Sequence, residues 1–303
     1  MKNILFITWD GPQTNYIESL FLPIFVRLQD QYGLSFHIIQ FTWGEQEKQD
    51  YIQRLCEENS INYKVIRIFR KNAVLGLLNA IFNQSNQIVK YCKQHNIDII
   101  MPRATTSAGI VNYIIDKTQS KYLFDADGFS QDERVDFSGW SSSGLKYRVY
   151  RYFERMAILK SQSIICRSRE ARRILTERSG VSETFNKITV ISNGRDTQKF
   201  KLIEKDEFQI KEGLKCVYVG SLGPQYGMSQ MLEIFNSLLE KKPKSIFTIL
   251  TGGLEYANNY ISTHYPDIKN SIIIKRVSND EVPSYISSSD IAFAIRAQKF
   301  SMK

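Results

Sequence analysis

The chain has 303 residues, enough for about two domains at roughly 150 residues each. Its 43% hydrophobic and 23% charged residues, with 18 Phe and 16 Tyr, are those of a packed globular protein and exclude intrinsic disorder. A formal net charge of +9 favours anionic partners, whether nucleotide phosphates, nucleic acid or an anionic membrane surface, without choosing among them.

In chain order, short β-rich runs alternate with longer runs of helical period. The strands expected are NILFIT (3–8), LSFHIIQF (34–41), KVIRIF (64–69), IDIIM (97–101), KYLFD (121–125), SIIC (163–166) and KITVIS (187–192). Between them, 16–31 carries apolar residues at 17, 20, 21, 24, 25 and 28, the spacing of one helical face. Segments 73–94, 107–117, 145–160 and 168–179 read as helices in the same way. Strand–helix alternation of this kind predicts βαβ crossovers and a mostly parallel sheet covered on both faces.

A second series begins after NGRDTQKF (193–200) and the charged stretch 201–213. Its expected strands are KCVYVG (215–220), SIFTILTGG (245–253), SIIIKRV (271–277) and DIAFAIR (290–296). Its expected helices are 227–241, 255–264 and 281–287. The restart predicts two Rossmann-like α/β domains, 1–195 and 196–303, with a cleft between them.

Ligands of open α/β sheets bind beyond the carboxyl ends of the strands, so the loops after strands are searched first. Asp10 and Gly11 follow the first strand; the glycine lets a ligand approach the backbone, or the segment is a plain turn. Gly220, Ser221, Leu222, Gly223 and Gly227 lie where the second series' first strand meets its first helix. Backbone amides freed by the glycines and the helix N-terminus suit a diphosphate, against the alternative of a Gly-rich turn. Arg296 and Lys299, after the last strand, are candidate charge partners for it. Asp125 and Asp127 stand at i and i+2 after a strand, with Glu133 and Arg134 close behind. A carboxylate there can accept a hydroxyl's proton or orient an acceptor, or simply close an Asx-turn.

Helix 145–160 interleaves Lys146, Arg148, Arg151, Arg155 and Lys160 with aromatic residues. That pattern suits either an anionic membrane or a solvated face over a packed one. Cys56, Cys92, Cys166 and Cys216 are far apart and read as free thiols. The apolar start is too short for a signal peptide, and no run reaches the roughly 20 apolar residues of a membrane-spanning helix. A cytoplasmic protein is expected, in peripheral contact at most with the inner face of the membrane. Walker, zinc, Ser-His-Asp and GxGxxG patterns are absent, against an oxidoreductase; dispersed lysines argue against nucleic acid.

Several segments resemble family 4 retaining glycosyltransferases. NGRDTQKF (193–200) resembles their NG-x-D-x-x-x-F hinge, YVGSLGPQYGMSQMLEIFNSL (218–238) the opening of their donor domain, and EVPSYISSSDIAFAI (281–295) a short helix leading into a strand. FDADGFSQDER (124–134) is similar to a D-x-R-G-x-x-x-x-E-R stretch of bacterial polysaccharide-type members. The resemblance implies a GT-B fold. Its first domain would bind a glycan or lipid-linked acceptor and its second a nucleotide sugar, with transfer retaining anomeric configuration and needing neither cofactor nor catalytic metal. The sequence departs from the family at Ser221 and Gln225 or Tyr226, where Arg and Lys are frequent, at Asp127, which stands in place of Arg, and at Arg195. It ends at Lys303, before the acidic segment and the helices that follow it in the family. The expectation is an incomplete second domain, a marginal fold in that half and poor catalysis; the alternative function is a non-catalytic homologue acting as a binding protein.

Overall fold

The computed structural model describes every residue except 12–13, 69–72, 195–196, 202–211 and 303. The chain divides into two compact units, Met1–Asn193 and Gly194–Met302. Arg195 and Asp196 of the hinge-like segment, and most of the charged stretch beyond it, lie outside the described residues, as do Pro12 and Gln13 of the first loop.

The first unit is built on β1 (Lys2–Trp9), β2 (Leu34–Thr42), β3 (Asn62–Arg67), β4 (Ile99–Pro102), β5 (Lys121–Ala126), β6 (Ser163–Cys166) and β7 (Ile188–Val190). Their order is β3-β2-β1-β4-β5-β6-β7, and every neighbouring pair is parallel. Helices cover both faces, which is why the middle of β1, ILFI at 4–7, is a buried apolar run that does not alternate with polar residues. Successive β1 side chains still serve opposite sides. Leu5 and Ile7 join Ile100 and Phe124 in one core, while Ile4 and Phe6 join Phe21, Phe25 and Phe36 in the other. The second core is closed by α1 (Leu22–Tyr32) and α2 (Gln46–Glu58). The first is closed by α3 (Ala73–Asn79), α4 (Ser85–Gln94), α5 (Ala104–Ile114), α7 (Leu145–Lys160) and α8 (Arg169–Ser179), while α6 (Ser130–Phe137) follows β5 and buries Gln131 and Asp132.

The second unit repeats the scheme with fewer strands. β8 (Lys215–Val219), β9 (Ile246–Leu250), β10 (Ile272–Lys275) and β11 (Ile291–Phe293) form a parallel sheet in the order β10-β9-β8-β11. α9 (Met228–Lys241), α10 (Leu254–His264) and α11 (Val282–Ser288) connect them. Its core gathers Tyr218, Met231, Leu232, Phe235, Phe247 and Ile249, with Ile291, Phe293 and Ile295 only partly buried at its side.

The strand order reverses at β1 in one sheet and at β8 in the other. The chain leaves each of these strands on one side and returns to pair on the other, which opens a crevice at the carboxyl edge. Both units are therefore Rossmann-like. The expected strands all form, with β3 set two residues early and β11 confined to three residues. α2 and α6 are additions. α2 buries Gln49, Ile52 and Cys56 with Leu55 packed beside them, a short apolar stretch within an otherwise polar and charged helix.

Candidate functional site

Parallel strands all end at one edge, so the residues just after them meet. Asp10 follows β1, Arg103 follows β4, Asp125 lies in β5 with Asp127 just past its end, and Arg167 follows β6. Arg103 Nη1 donates to Asp10 Oδ1 at 3.1 Å, spanning the point where the strand order reverses. Its Nη2 donates to Asp127 Oδ2. Arg167 Nη2 donates to both oxygens of Asp125, at 2.6 and 2.9 Å, and its Nε to Asp127 Oδ1 at 3.2 Å. The result is a row of alternating charge, Asp10–Arg103–Asp127–Arg167–Asp125.

Exposure sorts these groups. Asp125 has 0% of its surface exposed, whereas the Asp127 side chain keeps 22% and that of Arg167 21%. A ligand can touch Asp127 and Arg167; Asp125 can act only through Arg167. Burial raises the Asp125 carboxyl to about 6, with Arg167 opposing the shift. Burial raises Asp10 as well, against the pull of Arg103 and a hydrogen bond from the Thr8 hydroxyl. Burial alone would lower Arg103, but Asp127 and Asp10 outweigh it and hold the guanidinium above its ordinary value. That guanidinium also lies 4.0 Å from the Tyr16 ring centroid, within cation–π range. Ala104, the next residue, has φ of 59°, a left-handed conformation that costs a non-glycine residue roughly 1–2 kcal/mol. The fold holds Arg103 in place at the expense of local backbone strain.

A second ionic cluster lies where the loop after β5 runs into α6. Arg178 Nη2 donates to Asp132 Oδ1 at 2.9 Å and Arg178 Nη1 to Glu154 Oε2 at 3.2 Å, tying α8 to α6 and α7. Its guanidinium lies over the Phe129 ring at 4.7 Å. This cluster fixes the start of α6 and so the loop bearing Asp127.

In the second unit, the loop after β8 and the segment after β11 flank the sheet's own reversal point. Tyr218 Oη donates to the Ser221 carbonyl at 2.6 Å and Gly220 N to the Leu250 carbonyl at 3.0 Å, which shapes the first turn. Gly220 and Gly227 have φ of 154° and 51°, values that a side chain strains to adopt. A Cβ on Gly227 would stand 2.6 Å from Ile295 Cγ2, so the glycine admits Ile295 against the loop. Ala297 N donates to the Gln225 carbonyl at 3.1 Å, and the Arg296 guanidinium lies 4.6 Å from the Tyr226 ring centroid. Arg296 is exposed, so its charge is available to a ligand.

Of the residues singled out from sequence, the structure brings Asp10, Asp125 and Asp127 into one cluster, and Arg296 onto the loop of Gly220, Gly223 and Gly227. Gly11 accepts from Thr14 in the turn beside Asp10. Leu222 packs into the core and offers only its backbone, while Ser221 is exposed. Lys299 is exposed beyond Arg296, and its backbone N–H donates to the Ala297 carbonyl at 2.9 Å. Glu133 and Arg134 sit on α6, and Arg134 spends its guanidinium on the Trp140 and Tyr150 rings at 4.7 and 5.3 Å. Arg103 and Arg167 were not singled out. Each directly follows a strand, in IIMPR and SIICR, so the rule that found Asp10 and Asp125 applies equally to them. Among the described residues, no group of three or more His, Cys, Asp and Glu side chains could hold a metal ion.

No family model and no curated protein matches the chain. Solved structures do. The Anabaena protein HepE in complex with UDP-glucose superposes with a TM-score of 0.68 at 13% identity, covering 98% of this chain and 74% of its own. The lipopolysaccharide outer core galactosyltransferase WaaB gives 0.62 at 15% identity, covering 97% and 74%. Sucrose-phosphate synthase from Thermosynechococcus elongatus gives 0.67 at 9% identity, covering 96% and 75%.

The fold is GT-B. At these identities the likeness establishes the fold and nothing finer. The chain spans about three-quarters of the length of these GT-B structures.

Proposed function

We propose that this protein is a glycosyltransferase that moves a sugar from a nucleoside diphosphate sugar to a glycan or lipid-linked acceptor, with retention of configuration, in the assembly of a polysaccharide or glycoconjugate. The observation that carries this reading is the loop from Gly220 to Gly227, set at the strand-order reversal of the second sheet with Arg296 against it. Open α/β sheets bind their ligands at such a point. Backbone amides, the N-terminus of α9 and one cation are the groups that meet a diphosphate without a metal. The similarity to HepE, whose structure holds UDP-glucose, supports a uridine nucleotide as the first donor to try. In the first unit, Asp127 and Arg167 are the accessible members of the charged row and are placed to orient an acceptor hydroxyl. Asp10 and Asp125 hold the two arginines from beneath.

The test is calorimetric titration with UDP, GDP and their glucose conjugates, followed by a transfer assay whose product anomer is read by NMR. Binding that Arg296→Ala weakens about tenfold or more is expected, since a charge-assisted hydrogen bond contributes about 1.5–3 kcal/mol. Failure of every nucleotide to bind removes the reading. Binding without transfer leaves a nucleotide-sugar-binding protein.

A further inference from the structure

α7 is apolar on the wrong side. Its inward face carries Tyr150, Ala157 and Ile158, all buried against the core of the first unit, with Glu154 buried among them and paired to Arg178. Its outward face should be polar. Instead Leu145 is 76% exposed, Tyr152 60%, Leu159 38% and Val149 37%. At about 100° per residue, these four side chains lie within roughly 40° of a single direction, opposite the buried face. They form one stripe along the full 16-residue helix.

The exposed charges that α7 itself carries beside the stripe share one sign, and Asp116, the acid at its C-terminal end, is paired to Lys160 of the same helix. Arg148 and Arg155 are exposed along one border and Lys146 along the other. The only acid in α7, Glu154, is buried and already engaged. α5, packed alongside, adds Tyr113 at 40% exposure with Lys117 over its ring at 3.8 Å. A second copy of the chain laid against this stripe would set its basic borders against their like. An anionic surface with an apolar interior satisfies both components at once.

We propose that α7 is a membrane-docking helix that lies in the interface of an anionic lipid bilayer. Its apolar stripe sinks below the headgroups, and Lys146, Arg148 and Arg155 meet the lipid phosphates. It does not span the bilayer; among the described residues no helix is long and apolar enough to do so. The proposal stands without the glycosyltransferase reading, because it uses none of the residues assigned to the donor or acceptor sites.

The experiment is flotation of the full chain with two kinds of vesicle, phosphatidylcholine alone and phosphatidylcholine mixed with phosphatidylglycerol, at low and high salt. The expected result is co-flotation with the phosphatidylglycerol vesicles only, weakened by salt as a screened charge attraction must be. Replacing Lys146 and Arg148 by Gln should cost about fivefold in partitioning for each charge removed. The double change Leu145→Glu and Tyr152→Glu should abolish binding. Both residues are largely exposed, so circular dichroism and melting should be unchanged, which separates lost docking from lost folding. Three results overturn the proposal: no flotation with phosphatidylglycerol vesicles at low salt, flotation indifferent to these substitutions, or a dimer in sedimentation that the Glu changes dissociate while lipid binding is absent.

Discussion

Asp125 is a carboxyl with no exposure, hydrogen-bonded to Arg167 and within the field of Arg103, and that arrangement has a pH signature. Its ordinary value of 3.8 is raised to about 6 in the folded chain, chiefly by burial and against the pull of Arg167. Between those two values the folded state holds a proton that the unfolded state has released. Stability from this group is therefore complete below about pH 4 and is lost as pH rises through about 6. The loss is on the order of 3 kcal/mol. Asp125→Asn cannot titrate, so the wild-type minus variant difference in urea stability should fall across that window and stay level from pH 7 to 8. A difference that is level from pH 4 to 8 would show that the carboxyl is ionised throughout, held so by Arg167. The second arginine is tied differently. Arg103 is shared by Asp10 and Asp127, and the left-handed Ala104 beside it shows the backbone bending to keep it there.

At the scale of elements, two of the three glycines in the loop between β8 and α9, Gly223 and Gly227, differ in their reasons to exist. Gly227 combines φ of 51° with a Cβ position 2.6 Å from Ile295. Gly227→Val strains the backbone and pushes out Ile295, and with it the neighbouring Arg296. Gly223 is extended, at φ of 177°, and a Cβ there meets only the flexible end of Gln225. Gly227→Val should therefore weaken UDP binding at least tenfold and lower the melting temperature of the second unit, while Gly223→Ala leaves that melting temperature nearly unchanged. Equal melting of the two variants would remove Ile295 and the left-handed turn as the reason for Gly227. The same elements show what a sequence displays and what it hides. Strand runs such as NILFIT and KYLFD are legible because both faces of a parallel strand are buried, leaving an apolar run with no competing explanation. α2 is not, since the apolar residues of Gln46–Glu58 are confined to 51–56 and the turns on either side are polar or charged. Asp125 and Asp127 stand out as paired acids, and Arg103 and Arg167 hold the same legible position after a strand, but only the sheet order shows that these arginines meet those acids. The outward stripe of α7 is hidden for a related reason. Apolar residues surround that helix on both sides, and only packing shows which side is covered.

For the whole molecule, the two units differ in how well they are closed. The first has a seven-stranded sheet between two cores, and its central strands are sealed on both faces. The second has four strands around one core, and both edge strands, β10 and β11, have no fully buried residue. Less apolar area removed from water per residue means less stability per residue. Each unit has a core of its own, so nothing requires them to unfold together. Calorimetry should show two transitions, the lower belonging to the second unit. A nucleotide bound at Gly220–Gly227 stabilises only the state that binds it, by about 2.7 kcal/mol at a hundredfold excess over the dissociation constant. Saturating UDP should then raise the lower transition and leave the upper one in place, until the two merge. Hydrogen exchange followed residue by residue identifies which unit each transition opens. If UDP moves the upper transition alone, the nucleotide sits on the first unit, and the donor site has been assigned to the wrong sheet.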